Sequence, residues 1–162
     1  MMVLWGIGIA LVLLFGFTAF FGAPFLPTLH RRTKDAIDMM QLKPGQLFLE
    51  LGSGDGRLQL AAAKLGIKSI GYELNPLLVM YARIRLFRYR KLAQVRMANY
   101  WAVDLPKADA IYVFLLQPYM QKLDKKILQS KITPVKLVSF AFVVPNKKPV
   151  QQSSGMYRYL YK

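Results

Sequence analysis

The first 29 residues and the rest of the chain have different patterns of hydrophobic and polar positions. No Lys, Arg, Asp, Glu or His occurs before residue 30, so this first segment is apolar throughout. From residue 30 onward, short apolar runs alternate with stretches whose apolar residues recur at the three- and four-residue spacing of a helix. We therefore divide the 162-residue chain into an apolar segment, residues 1–26, and one domain, residues 27–162.

The apolar segment is longer than the roughly 20 residues that a helix needs to cross a hydrocarbon core of about 30 Å. Pro24 and Pro27 end this helix, because proline lacks a backbone donor and clashes with the preceding turn. A cleaved signal peptide and a buried helix of a soluble protein are the alternatives. The segment lacks the basic start and the small cleavage-site residues of a signal peptide. We expect residues 1–26 to be a transmembrane helix in contact with the lipid bilayer.

The charges beside this segment predict its orientation. No Lys or Arg precedes it, whereas His-Arg-Arg-Thr-Lys follows it at residues 30–34. Because basic flanks stay on the side from which a helix inserts, we expect a single-pass membrane protein with its domain on the cytoplasmic, non-translocated side.

In the domain, the apolar runs alternate between the spacing of strands and the spacing of helices. Strands are predicted at residues 46–51, 68–73, 93–97, 109–116, 135–144 and 155–161. Helices are predicted at residues 28–41, 57–65, from 75 onward, and 121–129. The alternation of strand and helix indicates an α/β fold with a parallel sheet.

A glycine-rich turn joins the first predicted strand of this sheet to the next helix. Glu-Leu-Gly-Ser-Gly-Asp-Gly occupies residues 50–56, and Gly-Tyr-Glu-Leu-Asn closes the second strand at residues 71–75. Glycine lets the chain turn sharply and lets a ligand approach the backbone. An acid at the end of the second strand, here Glu73, is placed to hold both hydroxyls of a ribose. The two motifs together predict a site for a nucleoside-containing cofactor.

The spacing and charge of the turn favour S-adenosyl-L-methionine (SAM). A dinucleotide site has the spacing G-x-G-x-x-G, whereas Gly52, Gly54 and Gly56 follow G-x-G-x-G. The carboxylates of Glu50 and Asp55 would repel a pyrophosphate but suit a ligand with an ammonium and a sulfonium group. A P-loop is excluded because no Gly-Lys-Ser/Thr follows the turn. A tight turn with solvated acids remains the alternative without a ligand.

These motifs resemble the class I, seven-stranded SAM-dependent methyltransferases, which have a Rossmann-like sheet. With Pro-Phe-Leu-Pro-Thr at residues 24–28 and Tyr-Ala-Arg-Ile-Arg at residues 81–85, they resemble the membrane-anchored protein-lysine methyltransferases. That group includes the mitochondrial enzymes for the ATP synthase c-subunit and the adenine nucleotide translocase. The resemblance implies protein-lysine N-methylation of a membrane protein. Since the chain ends soon after residue 161, we expect the sheet to be abbreviated at its C-terminal edge.

The resemblance also implies which residues bind SAM. They lie at strand ends and in the turns that follow: Glu50, Gly52, Ser53, Gly54, Asp55, Gly56, Glu73, Leu74, Asn75 and Asn99. The family tends to have Asp-Leu-Trp after its third strand, whereas this chain has Asn-Tyr-Trp at residues 99–101. Asn99 can still accept a hydrogen bond from the adenine amine through its carbonyl oxygen.

The turn after the fourth strand provides the candidate catalytic residues. Gln117 is placed to accept a hydrogen bond from the target amine, and Tyr119 to form a wall of the pocket. A plain strand-to-helix turn, with Pro118 at the helix start, explains the same residues equally well.

Composition restricts the chemistry and the partners further. The chain has no cysteine and one histidine, His30, which we interpret as solvated, so we expect no disulfide, metal site or catalytic triad. The formal net charge of +15 falls on the domain. A basic run contributes to it with five residues, Arg83, Arg85, Arg88, Arg90 and Lys91. This run would face anionic headgroups, contact nucleic acid, or be solvated.

Four functions are compatible with these observations. Methylation of a protein lysine is favoured, and methylation of a lipid or quinone headgroup fits the same membrane anchor. Methylation of RNA fits the charge but makes poor use of an anchor, so a nucleic-acid partner is not expected. A SAM-binding factor without catalytic activity is the alternative outside enzymes.

Overall fold

Seven strands form one sheet in the computed structural model of this chain, which describes Trp5, residues 30–130 and residues 132–162. The strands are β1 Leu47–Leu51, β2 Lys68–Glu73, β3 Ala93–Met97, β4 Ala110–Val113, β5 Val135–Phe140, β6 Gln151–Ser153 and β7 Met156–Tyr161. The helices are α1 His30–Met40, α2 Arg57–Lys64, α3 Pro76–Arg85 and α4 Gln117–Gln129, with a 3-10 turn at Phe87–Tyr89.

The strand order across the sheet is β3-β2-β1-β4-β5-β7-β6. The first five strands run parallel, and β7 and β6 form an antiparallel hairpin at the far edge. This confirms the predicted α/β, Rossmann-like sheet. We expected abbreviation at the C-terminal edge, but both outer strands are present there, although β6 has only three residues.

Helices cover both faces of the sheet. Alternate residues of each strand point to opposite faces, so each face presents apolar side chains that pack against helices. Phe48 of β1 and Tyr112 of β4 pack with α1 and α2 on one face. Leu49 of β1 and Ile111 of β4 pack with α4 on the other. Both faces of β1 and β4 are therefore buried, which explains why their side chains are mostly apolar.

Three element boundaries differ from the prediction by three or four residues. Helix α4 begins at Gln117 instead of residue 121, because Pro118 fits the first helical turn, where its missing donor is not needed. Strand β5 ends at Phe140 instead of residue 144, because Ala141 takes a left-handed conformation with φ 68°. Strand β4 ends at Val113, three residues earlier than predicted.

The membrane prediction is corrected. Within the described residues, no helix combines the length and the apolar character needed to cross a bilayer. The prediction of a single-pass membrane protein with its domain on the cytoplasmic side is therefore wrong. The predicted anchor, residues 1–26, lies outside the described residues apart from Trp5.

Candidate active site

The carboxyl ends of β1, β2, β3 and β4 meet at one edge of the sheet, since these strands are parallel. The chain builds outward from β1 to β2 and β3 and then returns to place β4 on the other side of β1. Ligands of open α/β sheets bind outside the carboxyl ends of the strands at such a switch point. The predicted glycine turn and the predicted catalytic turn both lie at this edge.

The glycine turn is held to β2 and leaves space on its other side. Gly52, Gly54 and Gly56 have φ values of 88°, 54° and 73°, which side chains disfavour. The backbone N–H groups of Gly52 and Ser53 both donate to the Tyr72 carbonyl at 2.9 Å. A Cβ added to Gly52 would meet no heavy atom of the described residues within 4 Å. The turn therefore borders a space that a ligand can fill.

Gly71 of β2 is a site-forming residue that we did not single out from the sequence. A Cβ at this position would lie 2.5 Å from the Cβ of Ser53 and 2.5 Å from Oε1 of Gln59. The close packing of the glycine turn on β2 therefore requires glycine here. The clue in the sequence was its place two residues before Glu73 in the second motif.

Glu73 lies at the end of β2, as predicted, and orders the backbone around it. Its Oε2 accepts a hydrogen bond from the Gly54 N–H at 2.9 Å. Its Oε1 accepts from the N–H groups of Leu74, at 2.9 Å, and Asn75, at 2.8 Å. Asn75 in turn caps α3, because its Oδ1 accepts from the Leu77 N–H at 2.9 Å. Glu73 thus joins the glycine turn to the start of α3.

Glu50, at the carboxyl end of β1, is a buried acid. Its side chain is 6% exposed, and its Oε2 accepts no hydrogen bond from the described residues. Burial, and then the negative charges of Asp55 and Glu73, raise the pKa of Glu50 well above its ordinary value. The buried Oγ of Ser53 likewise has no partner among the described residues. A ligand with an ammonium group would satisfy both, so these residues fit the amino-acid part of SAM.

Asp55, in the glycine turn, forms ion pairs with two arginines. Its Oδ2 lies 2.7 Å from Nη2 of Arg57 and 2.7 Å from Nη1 of Arg85. Although burial acts to raise it, hydrogen bonds from these arginines lower the pKa of Asp55 overall. The carboxylate is therefore paired with two arginines and connects the glycine turn to α3, and its predicted contact with SAM stays a prediction.

Aromatic side chains close the site on the β3 and β4 side. Tyr100 and Trp101, which follow β3, have ring centroids 4.8 Å apart, and Trp101 lies 6.5 Å from Tyr119 of α4. Burial above all, and then the charges of Glu73 and Tyr119, raise the pKa of Tyr100. These three rings, which we call the aromatic cluster, follow β3 and β4 and therefore lie at the carboxyl edge of the sheet. Of the three, only Tyr119 was proposed from the sequence.

The aromatic cluster already holds an ammonium group. Nζ of Lys122 lies 4.5 Å from the centroid of the Trp101 ring. Asn99, just before the cluster, is exposed, and its Oδ1 accepts a hydrogen bond from the Trp101 N–H at 3.0 Å. Its predicted contact with adenine stays a prediction.

Gln117 is paired with backbone groups in this structure. Its Nε2 donates to the Val143 carbonyl at 3.0 Å, and the Val143 N–H donates to its Oε1 at 3.2 Å. These bonds fasten the loop after β5 to the start of α4. Tyr119, by contrast, is 42% exposed and belongs to the aromatic cluster. The catalytic role of both residues stays a prediction.

Comparison with known proteins decides the family. Residues 50–151 match the ANTKMT methyltransferase domain. The chain belongs to this methyltransferase family. The matched residues of the ANTKMT domain begin at Glu50 and include the glycine turn, Glu73 and the aromatic cluster. No group of described His, Asp or Glu side chains could hold a metal ion.

The relatives of this ANTKMT-family domain include named lysine methyltransferases. This chain is 33% identical over 128 residues to the ATP synthase c-subunit lysine N-methyltransferase of Rattus norvegicus, and the match covers 78% of this chain and 59% of that protein. It is 33% identical over 130 residues to the adenine nucleotide translocase lysine N-methyltransferase of Mus musculus, covering 78% of this chain and 56% of that protein. The chain thus spans a little over half the length of these relatives.

A solved structure confirms the class of fold. The crystal structure of an RNA methyltransferase from Salinibacter ruber, in complex with S-adenosyl-L-homocysteine, aligns with a TM-score of 0.77 at 25% identity. The alignment covers 83% of this chain and 93% of that one. The prediction of a class I SAM-dependent methyltransferase domain is confirmed.

Proposed function

We propose that this ANTKMT-family protein is a SAM-dependent protein-lysine N-methyltransferase. The observation that carries the proposal is the match of residues 50–151 to the ANTKMT domain. The names of the relatives support it, because they specify lysines of the ATP synthase c-subunit and of the adenine nucleotide translocase. Those two names also support the narrower proposal that the acceptor lysine belongs to a membrane protein.

The residues at the carboxyl edge of the sheet would hold the cofactor. Glu50 would accept hydrogen bonds from the ammonium group through its Oε2, which has no partner among the described residues. The space beside Gly52 would take the adjoining methionine chain. Glu73, at the end of β2, would stand beside the ribose. Bound there, SAM supplies an electrophilic methyl group, and the protein contributes position and exclusion of water.

The acceptor lysine would approach past the aromatic cluster. The face of an aromatic ring attracts an ammonium group, and the Lys122 ammonium 4.5 Å from Trp101 is an example within this protein. The lysine must lose a proton before it attacks the methyl group. An apolar surround favours its neutral form because burial lowers the pKa of an amine. The rings of Tyr100, Trp101 and Tyr119 would provide that surround.

RNA methylation is the second candidate. Two observations favour it: the net charge of +15, and the similarity to the Salinibacter RNA methyltransferase over 93% of that chain. We prefer a lysine acceptor, because the relatives named for lysine methylation are 33% identical and the RNA methyltransferase is 25% identical.

The test is incubation of the full chain with methyl-tritiated SAM and a native cell extract that contains its membranes. Protein, lipid and RNA are then separated by gel, organic extraction and nuclease digestion. We expect the label in a nuclease-resistant protein band of the membrane fraction. Label in RNA or in the lipid phase would refute the lysine acceptor. Retention of SAM without any transfer would indicate a SAM-binding factor that has no catalytic activity.

A further inference from the structure

Helix α3 exposes apolar side chains along the side that faces away from the protein. Its inner side packs Val79, Ala82 and Leu86 against β3. At 100° per residue, the apolar residues at i, i+3, i+4 and i+7 from residue 77 lie on the opposite side of the helix. We call this outer set, with one residue of the adjoining 3-10 turn, the α3 apolar stripe: Leu77, Met80, Tyr81, Ile84 and Phe87.

The exposure of the stripe is unusual for side chains of this kind. Met80 is 58% exposed, Ile84 68% and Phe87 63%. Single exposed apolar residues are common on protein surfaces, but a contiguous set marks a contact site.

Basic side chains surround the stripe. Arg83 and Arg85 flank Ile84 on either side, and a second group of basic residues follows at the end of the helix. We call them the basic rim: Arg83, Arg85, Arg88, Arg90 and Lys91. No acidic residue occurs between Glu73 and Asp104, and within the rim it is Arg85 that forms an ion pair, with Asp55.

The rim and the stripe are in direct contact. The guanidinium of Arg90 lies 4.8 Å from the centroid of the Phe87 ring. Arg83, Arg90 and Arg96 also line a groove of about 370 Å³, together with the apolar residues Leu86 and Val95. A groove lined by both apolar and basic side chains suits a ligand that has an anionic head and an apolar tail.

We propose that the α3 apolar stripe and its basic rim dock on a bilayer surface that contains anionic phospholipids. Apolar side chains of an interfacial helix enter the boundary between headgroups and acyl chains, while arginines meet the phosphates. The contact is peripheral and requires no membrane-spanning helix.

Charge and chemistry favour this occupant over the others. A second copy of the chain would bring a net charge of +15 against the same basic rim. Single-stranded nucleic acid is bound by stacking on successive aromatic rings, whereas three of the five stripe residues, Leu77, Met80 and Ile84, have no ring. An anionic bilayer satisfies the charge and the apolar stripe together.

The contact would also orient the active site. The stripe begins at Leu77, whose N–H bonds to Asn75, and Asn75 bonds to Glu73 at the end of β2. A docked α3 therefore holds the carboxyl edge of the sheet close to the headgroups. The docking contact does not depend on the identity of the methyl acceptor.

The absence of cysteine from the chain makes a local test possible. A polarity-sensitive fluorophore is attached to Ile84→Cys in the full chain, and vesicles of phosphatidylcholine, with or without phosphatidylserine, are added. The matched control is Leu128→Cys, because Leu128 is 59% exposed on α4, across the sheet. We expect a blue shift at position 84 with the anionic vesicles only, reversed by high salt, and none at position 128. The label reports on α3 whatever else the chain contacts.

A second pair of variants tests the rim. Replacing Arg88 and Arg90 by glutamine should lower the partition into anionic vesicles about fivefold per residue. Lys125→Gln, an exposed lysine of α4, should leave it unchanged. SAM affinity, measured in parallel, should not change in any of these variants, so the result is independent of the proposed function.

Three outcomes would overturn the proposal. Equal blue shifts with neutral and anionic vesicles would show that the basic rim does not contribute to binding. A shift without vesicles that grows with protein concentration would assign the stripe to a second copy. A shift with an RNA oligonucleotide but with no vesicle would assign this surface to nucleic acid.

Discussion

Replacing Glu50 by glutamine should stabilise the fold and weaken cofactor binding at the same time. The amide keeps the shape of the side chain and removes its charge. Because Glu50 is 6% exposed and its Oε2 has no partner among the described residues, ionised Glu50 opposes folding. An unsatisfied buried group costs about 1–3 kcal/mol, and the amide also lacks partners. We therefore expect a gain of about 1–2 kcal/mol in the free energy of unfolding.

The gain should depend on pH with a defined sign. The pKa of folded Glu50 is raised above its ordinary value of 4.5, so the folded state holds the proton more tightly than the unfolded state. The free energy of unfolding of the wild type therefore falls as the pH rises from that value towards the raised one. The advantage of the glutamine variant should be absent below pH 4.5 and largest above the raised pKa.

Cofactor binding should change in the opposite direction. Ionised Glu50 would hold the ammonium group of SAM, and a hydrogen bond to a charged partner is worth about 1.5–3 kcal/mol. The variant should therefore bind SAM about 10- to 150-fold more weakly at neutral pH. In the wild type, affinity should fall as the pH falls through the raised pKa of Glu50, because protonation removes the charge.

Urea unfolding and titration calorimetry with SAM, each at several pH values, measure the two effects. Asp38→Asn is the matched control, because this exposed acid of α1 should affect neither quantity. A Glu50→Gln variant that is less stable than the wild type and binds SAM equally well would refute the reasoning.

Three further changes test other parts of the site. Glu73→Ala should weaken SAM binding about 10- to 150-fold. It should also accelerate hydrogen exchange of the Gly54 amide, because this amide loses its acceptor, and an unchanged exchange rate would contradict the hydrogen bond between the two residues. Gly71→Ala should cost about 1–3 kcal/mol in unfolding experiments, because its Cβ would lie 2.5 Å from that of Ser53; full stability would show that the glycine turn can move away. Trp101→Ala should raise the KM for a protein substrate about 2- to 30-fold and leave SAM affinity unchanged, and Trp101→Phe should have an intermediate KM. A loss of SAM affinity without a change in this KM would place the ring in the cofactor site.

The features best predicted from the sequence are those that depend on neighbouring residues. Strands β2 and β3 have the predicted bounds, because their apolar pattern is interrupted by turn residues at both ends. The glycine turn and the acid that closes β2 occur where their motifs placed them. Such features need only local chemistry and the order of the elements.

Features that depend on distant residues were not predictable in the same way. Asp55 forms an ion pair with Arg85, 30 residues later, and this pairing removes the charge that the turn offered in isolation. The amide of Gln117 bonds to Val143, 26 residues away. Strand β6 has three residues, Gln151–Ser153, whose side chains are all polar. No apolar pattern in the sequence therefore predicts this strand.

The most direct test of lysine methylation is mass spectrometry of membrane proteins incubated with methyl-deuterated SAM and the full chain. We expect a deuterated methyl group on the ε-nitrogen of a specific lysine, formed by the wild type and strongly reduced with Glu50→Gln. A deuterated methyl group on RNA or lipid, with every lysine unlabelled, would contradict the assignment of a lysine acceptor.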